Sequence, residues 1–224
     1  MAYIGKTPTP APLTSSDIPD SIITDAKIVG MTSSKLSGAL PAISGSSLTG
    51  IASDMVKLAD VDVTSGSSVS IDGHFSSTYK SYELIISECH FASATWLKVR
   101  FNVSGSTHTG GNWNFVTEHN ERNSSSHTNG NYGNFNQDYC PTTYHSSDNS
   151  VERVTRIYFA NPLVSDKYKM IRVITAHYNT SATVMTEDVG GYWHGTTGVT
   201  SGITLFPNAS TTFSRLKAQL YGTK

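Results

Sequence analysis

The sequence is short of cysteine, of charge and of long apolar runs, and each shortage removes a class of function. Two cysteines in 224 residues are too few for the disulfide framework of a small secreted scaffold. Cys89 and Cys140 also lack the CxxC spacing of a metal or redox site, so two unpaired thiols in a protein assembled in reducing cytoplasm are expected. Charged residues make up 15% of the chain and sum to a net charge of -1. Near the N-terminus Lys6, Lys27, Lys35 and Lys57 are offset by Asp17, Asp20, Asp25 and Asp54, which argues against a nucleic-acid arm needing a clustered positive excess. No run approaches the ~18 apolar residues of a membrane span, and residues 1–20 lack the basic-then-apolar layout of a signal peptide. The expectation is a soluble protein that leaves its cell by lysis, with neither nucleic acid nor membrane as partner. The Asn-x-Ser/Thr triplets at Asn102, Asn123, Asn179 and Asn208 then read as chance products of composition.

Catalytic signatures are missing as well. There is no Gly-x-Ser-x-Gly, no His-Glu-x-x-His and no phosphate-cradling glycine loop. Glu118, His119 and Glu121, with His108 and His127 near in sequence, match no recognised metal-ligand spacing and read as polar surface residues. Glu118, Asp138 and Asp148 offer carboxylates for sugar hydrolysis, which needs only two. No coil-length repeat accompanies them, so a glycan-cleaving enzyme is carried as an alternative, and the leading expectation is a protein without enzyme activity, cofactor or metal.

What is present is unevenly placed. Of 22 aromatic residues only Tyr3 precedes Phe75, and all eight histidines lie between His74 and His194. A packed core is therefore available only to the later part of the chain, which divides into an extended, helix-poor arm over residues 1–57 and a domain over residues 58–224. In the arm, Thr7-Pro-Thr-Pro-Ala-Pro12 favours extended backbone without ladder donors. Two near-repeats follow, Thr24-Asp-Ala-Lys-Ile-Val-Gly30 and Thr32-Ser-Ser-Lys-Leu-Ser-Gly38, each with one lysine and one aliphatic residue in matching places. Then comes Leu40-Pro-Ala-Ile-Ser-Gly-Ser-Ser-Leu-Thr-Gly-Ile51, too short for an amphipathic helix and too rich in glycine for an ordinary strand. One chain cannot bury these aliphatics, whereas three copies around an axis turn them inward while the small residues let the backbones approach. Tyr3, Ile4, Ile28, Leu36, Leu40, Ile43, Leu48 and Ile51 are the candidate trimer and anchor contacts.

The opening Met1-Ala-Tyr-Ile-Gly-Lys6, the near-repeats and the 40–51 stretch resemble the N-terminal part of tail-fibre and other fibre proteins of tailed bacteriophages, particularly short-tailed phages of marine and freshwater bacteria. The resemblance covers about the first quarter of the chain. It implies a non-enzymatic virion structural protein, a homotrimer docked by its arm on other virion proteins such as a tail adaptor, nozzle or capsid, with the later domain facing a host-surface glycan. A head fibre or capsid decoration protein shares this grammar and is the alternative. A polysaccharide-cleaving tailspike is the second alternative.

Past the arm, Ser53–Leu58 offers one helical turn at most, and then the chain alternates. Trp96–Val103 puts Leu97, Val99, Phe101 and Val103 on one face and Lys98, Arg100 and Asn102 on the other, the pattern of a half-buried antiparallel strand. Similar patterns occur at 61–63, 69–71, 82–91, 151–159, 168–178, 202–206 and 212–221, with Ser, Gly, Asn and Asp between them. The predicted fold is all-β, an antiparallel β-sandwich or jelly roll. Its core is expected at Leu97, Val99, Phe101, Ile171, Val173, Leu216 and Leu220.

Residues 104–150 break this rhythm. They are dense in Asn, Ser, Gly and His, yet carry Trp113, Phe115, Tyr132, Phe135, Tyr139 and Tyr144. The expectation is an irregular excursion with short strands near 112–118 and 132–136. Aromatic area beside adaptable hydrogen bonding suits sugar faces and hydroxyls, so Trp113, Tyr132, Phe135, Tyr139 and Tyr144 are candidate glycan contacts, the alternative being a satellite core under a long loop. Asp188–Gly195 is a second candidate surface, in which paired glycines put Tyr192 and Trp193 on a turn; the alternative there is a tryptophan plugging the sandwich end.

Overall fold

A computed structural model describes residues 54–122, 125–143, 153–181, 183–195 and 199–224. The arm candidates from Tyr3 to Ile51, together with Tyr144 and Asp148, lie outside these residues.

Thirteen strands follow one another among the described residues. They are β1 (Met55–Val63), β2 (Val69–Asp72), β3 (Ser81–Phe91), β4 (Leu97–Val103), β5 (Ser106–Thr107), β6 (Trp113–Arg122), β7 (His127–Gln137), β8 (Cys140–Pro141), β9 (Val154–Ala160), β10 (Lys169–Tyr178), β11 (Val184–Trp193), β12 (Thr200–Pro207) and β13 (Phe213–Thr223). Eight of them form one sheet in the order β1-β13-β3-β9-β10-β11-β6-β7. The others form a smaller sheet in the order β2-β12-β4-β5, with β8 also pairing β4. The pairs between named strands are antiparallel, as alternating apolar and polar positions with Gly/Asn/Ser connections require. The fold is the expected all-β antiparallel sandwich.

The core lies where inward rows of the two sheets meet. Leu84, Ile157, Ile171, Val173, Leu216 and Leu220 come from the large sheet, and Ile71, Val99, Phe101, Ile203 and Leu205 from the small one. Phe101 joins the layers, lying 5.1 Å from the Trp113 ring and 5.6 Å from that of Trp193. Farther along the same inner face the row turns polar. Thr155 and Thr175 share a hydroxyl bond of 2.8 Å, and His177 Nε2 lies 3.6 Å from Glu187 Oε1 with both side chains buried. Burial of such groups is tolerated when they meet one another.

Three segments differ from their sequence reading. Met55–Val63 is a strand rather than a helical turn, so the expected boundary between residues 57 and 58 falls inside β1. A register shift between Lys57 and Ala59 interrupts the alternation and hides the strand pattern. The 104–150 segment is not an irregular excursion in its described part: β6 and β7 form a long hairpin at the edge of the large sheet. β7 is exposed along nearly its whole length, so backbone pairing holds it and no apolar alternation is needed. Finally, Asp188–Trp193 belongs to a strand, not a turn. Gly191 sits mid-strand because a Cβ there would lie 2.8 Å from Cys140 Sγ and 3.1 Å from Ile171 Cγ2.

The two ends of the sandwich sequence meet. β1 pairs with β13, and the backbone N–H of Lys224 donates to the carbonyl of Asp54 at 3.0 Å.

Candidate contact face

In β6, β9, β10 and β11 the outward residues alternate with core residues, which puts Val116, Tyr158, Met170, Arg172, Asp188 and Tyr192 on one surface. Register places them side by side: Met170 opposite Tyr192, Arg172 opposite both Tyr158 and Gly190, and Gly190 opposite Val116. The surface is unusually apolar for one that faces water. Val116 is 53% exposed, Met170 52%, Tyr168 67% and Phe135 75%.

Three open depressions run across it. One, of about 270 Å³, has Gly133 and Gly190 at its floor and Val116, Phe135 and Tyr192 around it. At its edge the Asn114 amide donates to the Tyr192 hydroxyl at 2.5 Å and its Oδ1 accepts from the backbone N–H of Asn136 at 2.7 Å. The second, of about 290 Å³, shares Gly190 and adds Met170, Tyr158 and Arg172. The third, of about 470 Å³, shares Asp188 with the second and is lined by Glu118, Val154, Arg156 and Ile174. Shared residues make the three one belt. Both of its arginines are paired: Arg172 donates to Asp188 at 2.5 Å through Nη2, and Arg156 reaches Glu83 at 2.9 Å. The hydrogen bond to the Asp188 carboxylate holds the Arg172 guanidinium above its usual pKa.

Phe135 and Tyr192, named as candidates from sequence, are thus brought to one depression although 57 positions separate them in the numbering. Tyr168 extends the platform, its ring stacked on that of Tyr192 at 5.6 Å and 21°. Tyr132 is 39% exposed but points to the other face of β7, where it stacks on His119 at 5.2 Å. Tyr139 is half-buried beneath Lys98, whose Nζ stands 3.5 Å from its centroid.

Trp113 and Trp193 are corrections. They are 1% and 0% exposed, opposite each other in the β6–β11 register, with their rings against Phe101. They belong to the core because a large aromatic on the inner parity of a central strand has only the sandwich interior to enter. His108 meets the Trp193 ring edge-on at 5.1 Å, and burial lowers its pKa.

The polar candidates separate too. Glu118 and His119 are neighbours on one strand, so they point to opposite faces, Glu118 outward and His119 inward. No group of three or more His, Cys, Asp or Glu is placed to hold a metal ion among the described residues. Asp138 is occupied by Arg100, whose Nη2 donates to its carboxylate and whose Nε donates to its backbone carbonyl at 2.8 Å.

Val116, Tyr168, Met170, Ile174 and the Arg172–Asp188 pair escaped the sequence reading. A signal existed: Met170-Ile-Arg-Val-Ile174 is apolar on both parities, which a strand with one solvated face does not need. Comparison of the chain with protein-family models, with curated proteins and with solved structures gives no match.

Proposed function

We propose that this chain is a non-enzymatic structural protein of a bacteriophage virion, a fibre subunit held on the particle by its N-terminal arm, three copies to a fibre, with the β-sandwich turned toward a host-surface glycan. The observation that carries the contact part of this reading is the open belt on the large sheet, where Phe135, Tyr192 and Tyr168 expose ring area beside the Asn114 amide and the Arg172–Asp188 pair. Ring faces take the apolar faces of sugars, and amide, guanidinium and carboxylate groups take their hydroxyls. An open belt suits an extended polymer more than an enclosed small molecule. The arm part of the reading rests on the resemblance of residues 1–51 to fibre proteins.

Adsorption to host cells tests the contact part. F135A and Y192A are each expected to weaken adsorption about tenfold, the scale of an aromatic hot spot, with the melting temperature of F135A unchanged. Full adsorption by both would remove the belt as the contact surface. Antibody labelling of intact particles against residues 58–224 then distinguishes a tail fibre from a head fibre or capsid decoration protein by where the label sits.

One observation favours a glycan-cleaving reading. Glu118 faces Asp188 across the β6–β11 pair, and both line the depression of about 470 Å³. Asp188 is already engaged by Arg172, and Glu187, the remaining carboxylate of that lining, is buried against His177, which leaves Glu118 without a second exposed and unengaged carboxylate there. Release of reducing sugar from host polysaccharide by the wild-type chain, lost in E118Q, would replace the structural reading.

A further inference from the structure

Among the described residues the large sheet ends at β1 on one side and β7 on the other, and these two edges are built differently. At one end β1 is broken by the register shift between Lys57 and Ala59 and carries Lys57, Asp60 and Asp62. Bulges and charges are the devices by which sheet edges avoid pairing with other chains. At the other end β7 has none of them over most of its length. Its eleven residues, His127–Gln137, include no Lys, Arg, Asp, Glu or Pro, and on the side away from β6 no strand pairs with it among the described residues. The ladder with β6 is regular from His127 to Asn134; only beyond that does the register shift and Asn136 take a φ of 54°. Eight residues of even, uncharged, exposed backbone span about 26 Å of template at ~3.3 Å each. The described edges of the small sheet are shorter, four residues in β2 and two in β5.

We infer that the free edge of β7 is a strand-pairing site whose occupant is β7 of a second copy of this chain, antiparallel across a two-fold axis normal to the sheet. A second copy fits on three counts. The strand is neutral, so it meets itself without like-charge opposition, whereas β1 of another copy would bring its bulge and three charges. The two edges match in length by identity. In the register centred on Asn131, which keeps the pairing within the regular stretch from Thr128 to Asn134, both glycines face a larger residue, Gly130 opposite Tyr132 and Gly133 opposite Asn129. Such an interface is isologous and closes at two. An axis normal to the sheet also keeps the outward faces on the same side, so the two belts become one surface with the Phe135 depressions near its middle. The inference is independent of the proposed virion role, because it rests only on the edge. Where the arm gathers three copies, edge pairing joins one such assembly to another.

The test uses the full chain and the charged variant N129K/N131K, whose two positions are exposed and on the same face. Mass is measured by sedimentation over the micromolar range. Wild type is expected to reach at least twice the mass of the variant, whose lysines cluster across the two-fold, while an N129S/N131S control keeps the wild-type mass. Equal melting temperatures establish that all three are folded. Equal masses for wild type and N129K/N131K at every concentration would overturn the proposal. Amide exchange then names the reason: rapid exchange along one parity of β7 in wild type means an empty edge, and slow exchange with equal masses means that another part of the same chain lies there. Binding to host cells is a separate readout, so equal masses for wild type and N129K/N131K with adsorption intact sink this inference and spare the candidate contact face.

Discussion

The ammonium of Lys98 stands 3.5 Å from the centroid of the Tyr139 ring, so an aromatic that sequence marks as a candidate contact packs instead against a buried cation. Burial lowers the pKa of Lys98, and the nearby Asp138 carboxylate opposes that shift. A cation–π contact of this kind contributes about 0.5–2 kcal/mol, more as water is excluded. The expected coupling energy in a K98M/Y139L double-mutant cycle is about 1 kcal/mol, read from urea unfolding. Additive effects of the two single changes would show that the ring and the ammonium merely share a surface.

Phe135 and Trp193 make opposite predictions from the same sequence-level label. F135A is expected to change unfolding free energy by no more than about 0.5 kcal/mol, since the side chain is 75% exposed. W193A empties the junction with Phe101 and His108 and is expected to cost about 3–5 kcal/mol. Paired denaturant curves for the two variants check both values.

Acid stability is expected to depend on Glu88. Lys217 and Arg215 donate to its carboxylate, and these bonds hold its pKa below the ordinary 4.5. With the folded pKa below the unfolded one, the contribution is complete above about 4.5 and disappears as pH falls through the folded value. E88Q should therefore be less stable than wild type at neutral pH and converge with it in acid. A constant gap between the two melting curves from pH 7 down to pH 2 would contradict this.

Both thiols should be silent in the native protein. Cys89 and Cys140 are buried and not joined in a disulfide, and burial pushes the Cys140 thiol far above its usual pKa, so little thiolate is available there to a reagent. A chromogenic disulfide reagent is expected to titrate neither thiol before unfolding and both after it.

Deleting residues 1–39 removes no residue of the thirteen strands. The truncated chain is expected to fold, with near-native circular dichroism and melting temperature, and, on the proposed fibre role, to be lost from virions. Normal copy number on particles would mean that attachment runs through the β-sandwich.

The fold was legible where one face of a strand is buried and the other is wet. Leu216, Ala218 and Leu220 in β13 are core and alternate with half-buried Arg215, Lys217, Gln219 and Tyr221. In β4, Leu97, Val99 and Phe101 are core as read, but the intervening Lys98 and the following Asn102 are buried as well. Legibility failed where the reason for a strand lies in a neighbour. β7 reads as Asn/Gly loop because its order comes from the β6 ladder, and Gly130 is glycine because a Cβ would lie 2.3 Å from His119 Cε1. Trp113 and Trp193 sit in polar or glycine-rich surroundings that suggest exposure, yet parity within β6 and β11 sends both rings to Phe101. The contact face was half visible: Phe135 and Tyr192 could be named, but their meeting depends on the β11–β6–β7 order, which local sequence does not encode.

The hydrogen bond from Lys224 to Asp54 makes the sandwich a cassette whose entry and exit lie side by side. A unit of that shape can be spliced into a surface loop of another protein, or recut by joining residue 224 to residue 54 through a short linker and opening the chain at an exposed turn, without stretching either host or guest. New ends at the turn between Ser104 and Gly105 would leave every pair of the large sheet intact. Whatever the sandwich touches can thereby be carried to a scaffold that has no arm at all.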